Sequence, residues 1–190
     1  MFYLHPHRLK TVINASQLIE EYRLGKRDFS RVDLNQSSIA DVNLAGAKLW
    51  KANLAETNLG RTILQGANLD EANLTGATLW RADLAWASMT KARCSGALLI
   101  RAQLINANLT QAILNNAEMR LSCLVGANLS GANLSEANLS YADLRSANLT
   151  GADLKGTIFT GANLSGATVS HANLSEAVLV GANLNRARFF

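Results

Sequence analysis

The chain has 190 residues, and Leu, Ala and Asn together supply 80 of them. Hydrophobic residues make up 48% of the sequence, whereas aromatic residues reach only 6% and charged residues 17%. This composition is too apolar for a disordered chain and too poor in large rings for an ordinary globular core.

Residues 1–26 differ from the rest of the chain and are predicted to form an N-terminal cap. The first 15 residues lack the apolar segment of a signal peptide, and no apolar run approaches the roughly 20 residues that cross a bilayer. We therefore expect a soluble, cytoplasmic protein with no membrane contact. His5 and His7 alternate as metal ligands can, but no acidic or cysteine residue lies near them in sequence, so we predict no metal site and no cofactor.

A helix is predicted within this cap, from about residue 15 to residue 24. Asn14 followed by Gln17 has the spacing of a capping box, and Leu18 and Tyr22 fall on one apolar face. The helix can serve either to cover the end of the structure that follows or to bind a partner, and we favour the first role.

From residue 27 to residue 190 an apolar residue recurs at every fifth position. The series has 33 centres, from Phe29 to Phe189, of which 25 are Leu. Ala stands two residues before the centre in 25 of the 33 units, and the residue between them is Asn or Asp in 18 units. A period of five matches neither an α-helix nor a flat strand.

The spacing within a unit assigns a direction to each side chain. Ala and the centre are two residues apart, so in an extended backbone both point inward while the Asn or Asp between them points outward. The other two residues turn a corner, and 11 of the 13 glycines lie at the second residue after a centre, where a turn with positive φ favours glycine. Asn and Asp side chains can bond nearby turn backbone and stack as ladders between coils.

These residues resemble the pentapeptide-repeat family, whose pattern A(D/N)LXX extends here from Arg27 to Phe190. The resemblance implies an all-β fold, a right-handed quadrilateral parallel β-solenoid (pentapeptide-repeat β-helix) with a short N-terminal capping helix. With one unit per side and four units per coil, residues 27–190 would form about eight coils. The resemblance also implies a bacterial, cyanobacterial-type source.

The carboxyl end is predicted to leave an apolar coil uncovered, because Phe189 occupies the last centre and Phe190 follows it. An open strand edge invites association, and the resemblance implies dimerisation, since some family members dimerise through this end. We expect a homodimer through the C-terminal coil, with Phe189 and Phe190 at its interface. Fraying of the last coil in a monomer is the alternative.

Positions 20 residues apart should stack along the rod, about 5 Å per step. Arg61, Arg81 and Arg101 then form a ladder of like charge, which we expect Asp83 and Glu118 to neutralise in part. Aromatic and aliphatic residues stand near this ladder where the pattern favours polar ones, a composition typical of interaction hot spots. The predicted partner-binding residues are Arg61, Trp80, Arg81, Trp86, Ile100, Arg101 and Ile105. The alternative is that these residues are scattered over an ordinary solvated surface.

The sequence favours a non-enzymatic binding or scaffold protein, regulatory in role, that presents a rigid rod to an unidentified protein partner. The alternative, which the resemblance to members linked to quinolone resistance implies, is a DNA mimic that interacts with a type II topoisomerase (gyrase). Such mimicry needs columns of carboxylates, whereas the repeat carries 14 Lys and Arg against 12 Asp and Glu.

Enzymatic and nucleic-acid-binding functions are disfavoured. Ser170 and His171 are adjacent and point apart, and the sequence contains no phosphate-binding glycine loop or paired carboxylates. Cys94 and Cys123 match no zinc motif and are predicted to be structural thiols. The formal net charge is only +4, and the basic residues that could attract nucleic acid are interspersed with acidic ones. Those basic residues are Lys48, Lys51, Lys91 and Arg93.

Overall fold

The structure is a computed structural model that describes residues 13–190, so His5 and His7 lie outside the described residues. The described chain contains one helix, α1 (Ala15–Arg23), followed by repeating units whose β structure consists of isolated parallel bridges. Between residues 13 and 190, no helix is long and apolar enough to cross a bilayer.

The bridges define the register of the rod. Each one joins a residue to the residue 20 positions later, from Asp28 with Lys48 to Thr168 with Arg188. Four five-residue units therefore make one coil, and equivalent units stack in parallel. We number the four sides of the coil by their centres.

Side 1 contains Phe29, side 2 contains Leu34, side 3 contains Ile39 and side 4 contains Leu44, and each side recurs every 20 residues.

The centres and the alanines fill the interior, as predicted. Every centre from Leu44 to Phe159 is completely buried. Four units carry a buried Thr or Ser in place of the interior Ala, and these four hydroxyls donate to backbone carbonyls, as from Thr157 to Leu134 (2.8 Å). Among the described residues no buried side-chain nitrogen or oxygen lacks a partner. The narrow interior is therefore both apolar and satisfied in its hydrogen bonds.

The corners are turns in which the carbonyl of each centre from Leu44 to Leu184 accepts from the N–H three residues later, as between Leu134 and Ala137 (2.9 Å). The second corner residue of each unit from Arg31 to Arg186 has a positive φ, whereas the first corner residue does not. This combination is typical of a type II turn. The prediction for the glycines is confirmed, yet 21 of these left-handed residues are not glycine. Each costs about 1–2 kcal/mol of backbone strain, which bonding between coils offsets.

The outward Asn and Asp residues bond in the two predicted ways. Within a unit, Asn68 Oδ1 accepts from the N–H of Asp70 (3.0 Å), which holds the corner. Between coils, Asn73 Nδ2 donates to Asn53 Oδ1 (3.2 Å) and forms one step of a ladder. These side chains thus stabilise both the turn and the stacking of coils.

Helix α1 lies against the first coil. Its capping box is present, because the N–H of Gln17 donates to Asn14 Oδ1 (2.9 Å) and the N–H of Asn14 donates to Gln17 Oε1 (3.0 Å). Leu18 is buried in the same core as the repeat centres. The Tyr22 hydroxyl donates to the carbonyl of Ala45 (2.8 Å) and fixes the helix to the corner that follows side 4.

Candidate interaction surface

Five of the seven predicted partner-binding residues lie together at the corner between sides 3 and 4. We call the column formed by residues 60–61, 80–81, 100–101, 120–121 and 140–141 the arginine edge. Bonds between coils set its register, because the N–H of Arg61 donates to the carbonyl of Trp80 (2.8 Å) and the N–H of Arg81 donates to that of Ile100 (3.1 Å). The arginine edge therefore brings Arg61, Trp80, Arg81, Ile100 and Arg101 together.

Trp86 and Ile105 lie on the opposite border of side 4, at its corner with side 1. The N–H of Trp86 donates to the carbonyl of Ile105 (2.9 Å), and 64% of the Trp86 surface is exposed. We call these two residues the Trp86 edge. Side 4, with the outward residues Asp83 and Gln103, separates it from the arginine edge. The structure thus divides the predicted patch into two parallel edges.

The expected neutralisation of the arginines by Asp83 and Glu118 is wrong. Arg61 pairs instead with Asp41, one coil earlier in the same column, with 2.6 Å between Nε and Oδ1. The hydrogen bond to Asp41 raises the pKa of the Arg61 guanidinium. Corner side chains stack on corner side chains, whereas Asp83 and Glu118 face outward from sides 4 and 3.

The two acidic residues expected to neutralise the ladder have other partners. Asp83 accepts from Gln65 Nε2 (2.6 Å). Glu118 pairs with Arg120, which belongs to the arginine edge but not to the predicted ladder, with 3.2 Å between Oε2 and Nε.

The next two arginines of the edge carry uncompensated charge. Within the described part of the chain, neither Arg81 nor Arg101 has an acidic partner within 4.0 Å, and both side chains are exposed. The Arg81 guanidinium lies over the Trp80 ring, 4.7 Å from its centroid, which is the geometry of a cation–π contact. The arginine edge thus presents two positive charges on consecutive coils beside an exposed indole.

Two further apolar residues extend this edge, and the sequence interpretation missed them. Leu121 and Tyr141 follow Arg101 at the same 20-residue spacing and are 47% and 63% exposed. The Tyr141 ring lies over Gly161, where a Cβ atom would come within 2.6 Å of Tyr141 Cε1. The spacing that aligned the arginines would also have found Leu121 and Tyr141.

The remaining reactive groups do not form a catalytic constellation in the part of the chain the structure describes. Burial raises the pKa of the Cys94 thiol to about 12, while Cys123 is a half-buried free thiol. The Ser170 hydroxyl donates to the carbonyl of Phe190 (2.8 Å). Residues 13–190 contain no group of three or more His, Cys, Asp or Glu side chains that could hold a metal ion.

The coil formed by residues 171–190 is less buried than those before it. Its centres Leu174, Leu179 and Leu184 are partly exposed, and their N–H groups donate to no backbone carbonyl of the described residues. Phe189 is 37% exposed and Phe190 is fully exposed. This coil therefore offers both apolar side chains and unpaired backbone donors.

Four stacked five-residue units per coil, an Ala and Leu interior and type II corners define a pentapeptide β-solenoid. The family model for pentapeptide repeats matches overlapping segments that together cover residues 28–116 and 122–189. The chain belongs to the pentapeptide-repeat family. None of the curated proteins compared with the chain matches it significantly.

Solved structures of family members are similar to this chain. HetL, a pentapeptide repeat protein involved in heterocyst differentiation regulation from the cyanobacterium Nostoc sp. strain PCC 7120, is 32% identical over 93% of this chain and 94% of that chain, with a TM-score of 0.36. QnrB1, a plasmid-mediated fluoroquinolone resistance protein, is 16% identical over 80% of this chain and 93% of that chain, with a TM-score of 0.53. The QnrB1 likeness concerns the fold alone, which is the right-handed quadrilateral β-helix.

Proposed function

We propose that this protein is a non-enzymatic scaffold that presents the arginine edge and the Trp86 edge to a protein partner. The observation that carries the proposal is the juxtaposition of uncompensated Arg81 and Arg101 with exposed Trp80 on one column of the rod. Arg and Trp are the residue types that most often dominate binding energy at protein interfaces. Trp86, on the other border of side 4, would extend the contact across that side.

The rod supports this role because it holds the surface residues in place before binding. The backbone at Arg81 is bonded to the next coil, and its corner is closed by the bond from the N–H of Ala82 to the carbonyl of Leu79 (3.0 Å). A surface ordered in advance loses little conformational entropy when a partner docks. The same rigidity suits a regulatory protein that acts by occupying a partner's surface.

The alternative function, a DNA mimic that interacts with gyrase, has less support. The conspicuous column on the described surface is cationic, which is the wrong sign for imitating phosphates. The acidic corner residues Glu56 and Glu136 belong to one column, but Gly76, Gly96 and Asn116 lie between them. A continuous ladder of carboxylates is therefore not formed there.

The proposal includes the architecture of the two ends. Of the predicted cap, residues 1–26, the described part 13–26 covers the first coil through α1, and residues 27–190 form a solenoid of about eight coils. The exposed Phe189 and Phe190 and the unpaired donors of the last coil support a homodimer through the C-terminal coil. Such a dimer would place two arginine edges in one assembly.

Affinity purification from the native cells tests the proposed function. We expect the Trp80→Ala/Trp86→Ala double variant to lose the bound partner while its unfolding temperature matches that of the wild type. Trp50→Ala is the matched control, because Trp50 lies at the end of side 1 against Arg31 and Lys51. Retention of the partner by a folded double variant would discard this surface.

A further inference from the structure

The arginine edge changes chemistry along the rod axis. Four consecutive coils present Arg81, Arg101, Leu121 and Tyr141 in a single column. The first two positions are cationic without an acidic partner, and the last two are exposed apolar side chains. A partner that matches this column must therefore carry negative charge at one end of its contact and apolar groups at the other.

Carboxylates suit the cationic half better than a chain of phosphates. A nucleic acid would continue its charge along the rod, where it would meet the apolar Leu121 and Tyr141. The nearby cations Arg120 and Arg145 are already paired with Glu118 and Asp143 and offer it no free positive charge. A protein segment can switch from acidic to apolar residues within a few positions. Charge complementarity and the apolar continuation together favour an acidic, amphipathic protein segment.

The spacing of the column selects the conformation of that segment. Equivalent residues of neighbouring coils are about 4.8 Å apart, so the four positions span about 14 Å. Residues i, i+3, i+7 and i+10 of an α-helix share one face and span about 15 Å. Side chains on one face of an extended strand are about 6.7 Å apart, so four of them would span about 20 Å and lose register.

We propose that the partner contributes an amphipathic α-helix that lies along the arginine edge, with carboxylates against Arg81 and Arg101 and apolar side chains against Leu121 and Tyr141. This inference rests on the proposed function and specifies the chemistry of the partner. The acidic residues of that helix are one turn apart, and its apolar residues occupy the next two turns on the same face.

A designed peptide tests the proposal directly. The probe is an Ala-rich and Gln-rich helical peptide with Glu at positions i and i+3 and Leu at i+7 and i+10, added to the full-length ¹⁵N-labelled protein. We expect amide shift changes confined to the arginine edge, a gain of peptide helicity on binding, and affinity at least about tenfold weaker for Arg81→Glu/Arg101→Glu. Arg93→Glu, an exposed arginine on side 2, should bind as the wild type does.

Three outcomes would overturn the proposal. The first is the absence of shifts at millimolar peptide, and the second is equal binding by a peptide with Lys in place of both Glu residues. The third is a duplex oligonucleotide that shifts the same residues while the peptide does not. If the peptide fails but the tryptophan-dependent partner is still recovered, the helix is wrong and the scaffold function stands; if both fail, the function itself is wrong.

Discussion

Arg61 Nε lies 2.6 Å from Asp41 Oδ1, across one coil of the rod. This pair neutralises the first arginine of the arginine edge, and Arg81 and Arg101 above it have no equivalent carboxylate among the described residues. Arg61 is therefore neutralised within the rod, whereas the charges of Arg81 and Arg101 are available to another molecule.

This division predicts unequal effects from three similar substitutions. Arg61→Ala should leave partner affinity nearly unchanged, because Asp41 already holds that guanidinium. Arg81→Ala and Arg101→Ala should each weaken binding by roughly 1 kcal/mol, the scale of an exposed ion pair. Calorimetric titration of the purified partner gives the comparison, and an equal loss for all three variants would contradict the division.

Because the interior of the rod is narrow and apolar, we expect the free energy of unfolding to depend strongly on the size and charge of the interior side chains. Ala132 and Leu134 are completely buried in adjacent interior positions. Ala132→Leu should lower the free energy of unfolding by about 1–3 kcal/mol through overpacking. Leu134→Lys should unfold the neighbouring coils, because a buried charge without a partner is far more costly. Thermal melts followed by circular dichroism measure both effects.

Ser130→Ala is the control for these interior variants. Ser130 lies at a corner, and its hydroxyl bonds to no other described residue. The control should melt as the wild type does. A neutral effect of Ala132→Leu or Leu134→Lys would show that the inward positions have been assigned wrongly.

The Asp143 and Arg145 pair predicts a small loss of stability at low pH. Hydrogen bonds from the Arg145 side chain, 2.7 Å between Nη2 and Oδ2, and from its backbone lower the pKa of the Asp143 carboxyl. A lowered pKa in the folded state adds stability above the unfolded pKa, and this stability disappears as pH falls through the folded pKa. The effect should be small because both side chains are partly exposed.

Urea unfolding from neutral pH to about pH 2 tests this linkage. Asp143→Asn should be less stable than the wild type at neutral pH, and the difference should shrink as the wild-type carboxyl becomes protonated. Arg145→Ala should show the same pattern. A difference that stays constant across the whole pH range would assign the effect to packing instead of to the ion pair.

The last coil predicts association of two chains. Light scattering should give a dimer mass for the wild-type chain and a monomer mass for Phe189→Ser/Phe190→Ser, because the variant removes the exposed rings. Arg186→Ala, on the same coil, serves as a charge control and should remain dimeric. A monomer mass for both the wild type and the double variant would exclude the dimer.

The fold could be predicted because the period of five encodes it directly. Each Ala and each centre of the repeat marks a side chain that points into the rod, and every centre from Leu44 to Phe159 is in fact buried. The corners were only partly predictable. Glycine marks a left-handed turn by its identity, whereas Arg81 and Trp86 adopt the same φ because bonding between coils holds them there.

The candidate site was less predictable because it depends on which side chains meet outside the rod. The 20-residue stacking of Arg61, Arg81 and Arg101 followed from the period, but the partner of Arg61 did not. Asp83 does not pair with these arginines, because it faces outward from side 4 and bonds to Gln65. Asp41 pairs with Arg61 because both are corner residues of the same column. Trp86 is close to Trp80 in sequence, yet side 4 lies between them.

Site-specific photocrosslinking in the native cells tests the central claim most directly. A benzophenone amino acid replaces Ile100 on the arginine edge in one variant, and Thr150 at the corner that follows side 1 in another. The scaffold function predicts a discrete protein adduct from position 100 and none from position 150. The absence of an adduct at position 100, or the same adduct from both positions, would contradict it.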